Sequence, residues 1–147
     1  MKQIHLIITG WLIALLVVGP VAAQCLEYEP KVVSLSGTVA QETHPGRPNY
    51  ESVANGDEPE TIWVLKLKAP ICVLAANEID VRENSQTEIQ LVLDQGQYNK
   101  YRGLLGQSVT VTGKLFHSHT GHHHKQLLLR TSEIKTGKRG RRGMALT

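Results

Sequence analysis

Tyr98-Asn-Lys-Tyr-Arg-Gly-Leu-Leu-Gly106 and, just beyond it, Val109-Thr-Val-Thr-Gly-Lys-Leu-Phe116 decide the fold. In the first stretch the apolar positions 98, 101, 104 and 105 recur at helical spacing, and Gly106 is a natural stop. In the second, Val109, Val111, Gly113 and Leu115 alternate with Thr110, Thr112 and Lys114, the period-two pattern of a half-buried strand. Upstream, Val33, Leu35, Gly37 and Val39 alternate in the same way. Residues 62–68 read as a second strand that bends at Pro70 and continues over 71–74, and residues 88–94 read as a third. Residues 125–131 make a fifth, reaching toward Ile134. Residues 44–60, with three prolines and two glycines, form a long loop. One short helix between the third and fourth of five strands is the connectivity of an OB-like Greek-key barrel, an all-β fold with one short helix. Gly37 and Gly113 fall mid-strand, where a tightly coiled barrel needs residues without a Cβ.

The chain has 147 residues, 41% hydrophobic and 20% charged, a globular balance that argues against a disordered protein. Residues 1–23 combine a charged start, an apolar run from Leu6 to Val18 and the small-x-small ending Val21-Ala22-Ala23. This is the pattern of an export signal cleaved after Ala23, and the run is short for a stable membrane anchor, which takes about 20 apolar residues. The expected domain is 24–134, followed by a disordered basic tail, 135–147. An exported chain belongs in a periplasmic or secreted setting. There Cys25 and Cys72 are expected to pair, closing a 47-residue separation worth roughly 4 kcal/mol in the chain-entropy picture. The formal charge of +3 divides unevenly: residues 24–134 hold ten Lys and Arg against thirteen Asp and Glu, and the tail is basic. An acidic domain with few aromatics lacks the basic groove and stacking platform of a nucleic-acid binder. No nucleophile–base motif, phosphate-cradling loop or metalloprotease motif is present, so no enzyme is expected.

His117-Ser-His-Thr-Gly-His-His-His124 is the most unusual stretch. If Thr120-Gly121 closes a two-residue hairpin, His117, His119, His122 and His124 share one face and could meet around Zn, Cu or Ni. Equally, the imidazoles could form a structural or pH-responsive cluster, or be polar filler on a longer loop. In an OB barrel this segment and the loop between strands 1 and 2 flank the ligand face. That loop supplies His44, Tyr50, Glu51, Asp57, Glu58 and Glu60, whose carboxylates could support or ligate beside the imidazoles.

Pro48-Asn-Tyr-Glu-Ser52, Pro70-Ile-Cys-Val73, Tyr101-Arg-Gly-Leu-Leu-Gly106 and Thr120-Gly-His-His-His124 resemble a family of exported bacterial proteins known as a domain of unknown function (number 4431). The resemblance spans roughly residues 25–134 and implies a bacterial, periplasmic protein. It carries no activity and no mapped site to transfer. The reading is therefore a binding module for a small ligand or an exported protein. Its alternatives are a transition-metal binder and an inhibitor or immunity protein for a basic enzyme.

Overall fold

The computed structural model describes residues 25–137. The expected leader, and the expected tail beyond residue 137, lie outside the described residues. Five strands, β1 (Val33–Pro45), β2 (Pro59–Val73), β3 (Glu83–Val92), β4 (Ser108–His117) and β5 (Leu127–Thr136), close into one barrel in the order β1-β2-β3-β5-β4. All neighbours are antiparallel except β3 and β5, whose short parallel seam pairs Gln90–Val92 with Leu128–Arg130. Helix α1 (Gln95–Tyr101) crosses between β3 and β4, as the OB connectivity requires. Alternation sends Val39, Leu65, Ile89, Leu91, Val111 and Leu115 into the interior, where all are essentially inaccessible.

Four boundaries differ from the sequence expectation. Strand β5 begins at Leu127 and runs on to Thr136, so Lys135 and Thr136, expected in the tail, pair with Thr110 and Val109. Strands β1 and β2 run on to Pro45 and from Pro59, so the loop between them shrinks to 46–58. His44 and Glu60 are thus opposed ladder residues rather than loop residues. Strand β3 starts at Glu83, because its polar first half pairs with the end of β2 across irregularities near Pro70. Helix α1 starts at Gln95: Asp94 caps it in a reciprocal box with Gln97, a stronger start signal than the apolar spacing from Tyr98.

The Cys25–Cys72 bridge forms. It lies beside a parallel contact in which Leu26 donates to the Cys72 carbonyl and Leu74 donates to that of Leu26, so the start of the domain is tied to the end of β2. Gly106 ends the helical segment at φ 76°, and the sharp coiling of the barrel falls on the two expected glycines. A Cβ on Gly37 would lie 2.3 Å from the Lys66 carbonyl oxygen, and one on Gly113 would lie 2.3 Å from that of Arg130. Both obstacles are backbone in a closed ladder and cannot step aside. Gly37→Ala and Gly113→Ala should each destabilise the barrel by about 2–3 kcal/mol in urea unfolding, in the range of overpacked cores. Gly103→Ala, which meets nothing within 4 Å, should stay within about 0.5 kcal/mol of the parent.

Candidate functional site: a histidine loop locked onto the barrel

The ladder of β4 and β5 ends at His117 paired with Leu127, leaving 118–126 as the loop. The expected two-residue turn at Thr120-Gly121 does not form, and with it go the pairings of His119 with His122 and of His117 with His124. Only two backbone bonds close the segment on itself, Ser118 to the Gln126 carbonyl and His123 to that of Thr120. Apart from the His119 N–H, which donates to His123 Nδ1, the bonds of His122, His124 and Lys125 run outward to the barrel, which offers carboxylates and an amide that a tight hairpin would forgo.

The surface they meet is the outer face of β1, β2 and β3. Period-two alternation places Glu42 and His44, Glu60, Ile62, Val64 and Lys66, and Glu88 and Gln90 there together. Ile62, Val64 and Leu128 are buried although they stand outside the interior core, because the loop lies over this face. Gln90, only 6% exposed, holds the loop by its backbone: its Nε2 donates to the His122 carbonyl and its Oε1 accepts from the His124 N–H, both at 2.8 Å. Lys125 reaches between Glu42 and Glu88, with Nζ 2.8 and 2.5 Å from their carboxylates.

Glu60 is the centre. Its Oε1 accepts from His122 Nδ1 at 2.6 Å and its Oε2 from His124 Nε2 at 2.9 Å. The other nitrogen of His122 faces the Tyr50 hydroxyl at 3.1 Å, and the ring of His44 stacks on that of His124 with centroids 4.5 Å apart. Burial pushes the Glu60 carboxyl up, but the hydrogen bonds from His124 and His122 outweigh it and hold the group below its ordinary value. The hydrogen bond from Lys125 leads the causes that lower Glu42. Burial pulls Lys125 down, and its bonds to Glu42 and Glu88 reverse that and raise it.

The 46–58 loop is braced from within by Asp57, which is buried. Oδ1 accepts from the backbone and the amide of Asn49, and Oδ2 accepts from the N–H groups of Glu51 and Ser52. The Ser52 bond leads in holding its carboxyl down. This brace sets Tyr50 at φ 61°, a left-handed conformation that a bulky residue adopts only when held. Tyr50 then packs against Gly121, where a Cβ would come within 2.9 Å of the ring. The glycine of the histidine stretch is there for close approach, not for a turn with positive φ.

The expected site residues therefore divide. His44, Tyr50, Glu60, His122 and His124 converge. Asp57 acts through Tyr50; Glu51 lends only a backbone N–H, and Glu58 lines the cleft beside the cluster. His117 leaves the group to bond Glu83 at 3.0 Å, and its N–H donates to Asp80. His119 and His123 pack on Phe116, with ring centroids 5.9 and 5.6 Å away. Among the described residues no group of three or more His, Cys, Asp or Glu could hold a metal ion. The four-histidine metal face fails because the loop leaves the ladder after His117. Glu42, Glu83, Glu88, Gln90 and Lys125 were not anticipated. For Glu88 and Gln90 the signal was present, since they alternate with Ile89 and Leu91 and so face outward.

Beside the lock, a cleft of about 420 Å³ is lined by Gly46, Arg47, Glu58 to Thr61 and His122. Arg47 and Glu58 are exposed in it and give it both signs of charge.

Two outcomes follow from the bonding of the lock. The Asp57→Asn variant should speed amide exchange at Asn49, Glu51 and Ser52 and perturb the His122 ring resonances, because Tyr50 loses its brace. Unchanged exchange would show that the brace is idle. The loop should also loosen in acid in two stages. Burial, then His119, hold His123 below its ordinary 6.5, so its contribution is full above that value and erodes as pH falls from there. Glu60 and Glu42 are depressed below 4.5, so theirs is full above pH 4.5 and is lost below it. Lys125, raised, keeps its contribution throughout and loses it only in strong base. Hydrogen exchange of the 118–126 amides against pH, corrected for intrinsic rates, reads both stages. A family model described as Domain of unknown function (DUF4431) matches residues 88–135, which take in Glu88, Gln90 and the whole histidine loop but not Glu42, Asp57 or Glu60. No curated protein matches the chain.

Proposed function

We propose that this chain is a non-catalytic binding module that works outside the reducing cytosol and takes its ligand, a small molecule or part of an exported protein, in the cleft between the 46–58 and 118–126 loops. The observation that carries the reading is the lock itself: Glu60 and Tyr50 join two distant loops into one preformed rim around that cleft. The Cys25–Cys72 bridge and the leader-like residues 1–23 support the compartment. Arg47 and Glu58 favour a ligand with both an acidic and a basic group. The inhibitor alternative is weakened by the same bonding. Asp57 is spent on backbone N–H groups and Glu60 on imidazoles, so a basic enzyme would find few free carboxylates here.

The test is an ¹⁵N-resolved titration with a panel of amino acids and dipeptides as zwitterionic probes. Shifts should concentrate at 46–47, 58–61 and 122, and Arg47→Ala with Glu58→Ala should weaken binding about tenfold or more, the cost of one charge-assisted contact. Shifts confined to the second cleft, about 350 Å³ between Glu27–Lys31 and Leu74–Ala76, would move the site to the other end of the domain.

A further inference from the structure

We infer that the outer face of β1, β2 and β3 is a recognition surface for a basic peptide segment, covered in this structure by the chain's own His122–Lys125. The carboxylates alone do not make the argument; the way the segment is held does. Gln90 uses both ends of its amide on the two backbone groups that flank His123, so it reads main chain and is indifferent to the side chain between. Lys125, two residues after the clamped position, enters a pocket with a carboxylate on either side. Below lie the buried apolar groups of Ile62, Val64 and Leu128. A main-chain clamp, an ammonium pocket at a fixed offset and an apolar floor are the parts of a peptide site.

Nothing in these contacts requires the segment to belong to the same chain. It makes few backbone bonds of its own, and loop 118–126 lies wholly beyond the β4–β5 ladder, which ends at His117 and Leu127, so lifting it breaks no ladder bond. A partner must compete with this internal segment, so its apparent affinity falls by the fraction of molecules in which the face is open. Charge decides the class of partner. Lys66 also bridges Glu42 and Glu88, at 3.4 and 3.6 Å, yet with Lys125 lifted away the face keeps three carboxylates, Glu42, Glu60 and Glu88, against that one lysine, a balance that repels a polyphosphate and attracts a lysine-bearing strand. This surface is separate from the rim cleft, sharing only Glu60 and His122 with it, and it stands whether or not that cleft binds anything.

The probe is a fluorescein-labelled peptide Thr-Gly-His-His-His-Lys-Gln, the sequence of 120–126, followed by anisotropy at neutral pH and low salt. Lys125→Ala, which empties the ammonium pocket, should bind it at least tenfold more tightly than the parent protein. Replacing the peptide's lysine by alanine should remove that gain, as should adding Glu42→Gln and Glu88→Gln to the opened protein. Equal binding of both peptides, or no gain on opening, overturns the proposal, and so does tighter binding of a single-stranded oligonucleotide. If Lys125→Ala melts without cooperativity, Lys125→Met keeps the apolar stem and replaces it. In the parent protein at high peptide concentration the Gln90 side-chain amide should then shift; an Arg47 shift with the Gln90 amide unmoved also overturns the inference.

Discussion

A single carboxylate with both oxygens occupied holds the loops of this barrel together. Glu60 leaves β2 on the outer face and accepts from two imidazoles of a loop more than sixty residues away in the chain. A half-buried carboxylate is costly unless it is paired, and here the pairing is what fixes the position of the loop. Removing either histidine would leave Glu60 with one oxygen unmet, and removing Glu60 would leave two imidazoles and the stacked His44 without an anchor. The bond is thus a registration device. It decides where the 118–126 loop lies, and through Tyr50 it decides how the 46–58 loop meets it.

The barrel was readable from local pattern because each strand buries every second residue, and the interior demands no more than that. Val109 to Leu115, Gly37 and Gly113 carried the information needed, and the glycines were right for the reason given: a Cβ there meets backbone. The convergence of two distant loops was also readable, since it follows from connectivity. The register of the histidine loop was not. Thr120-Gly121 has the composition of a tight turn, and local rules favour that turn. It loses because Gln90, Glu60 and the Glu42–Glu88 pair, on three other strands, together offer the loop more than a ladder does. Such partners are invisible in a local window, and only the outward alternation of Glu88 and Gln90 hinted at them.

Histidine-rich stretches invite a metal reading, and this fold shows how carboxylates can claim such a stretch instead. His117 has gone to Glu83, while His122 and His124 have gone to Glu60; His119 and His123 have gone to an aromatic face. His119 and His123 also use each other, since the His119 N–H donates to His123 Nδ1 at 3.0 Å. The rings are divided among three anchors, Glu83, Glu60 and Phe116, so they are not gathered on one point. A metal site needs several donors aimed at one point, and spacing in sequence does not supply that aim.

The covered face then changes what the fold means for function. In an OB barrel the surface of strands 2 and 3 is the one left open between the loops, and fold alone would place the ligand there. Here it is filled by a segment that has the form of a ligand: basic and gripped by its backbone. A structural loop that only had to close the chain between β4 and β5 could do so in two residues. Nine residues that lie down on an acidic face and shield its apolar floor do something a turn does not. They keep that surface from water, and they give it a lining that another strand of the same chemistry can replace.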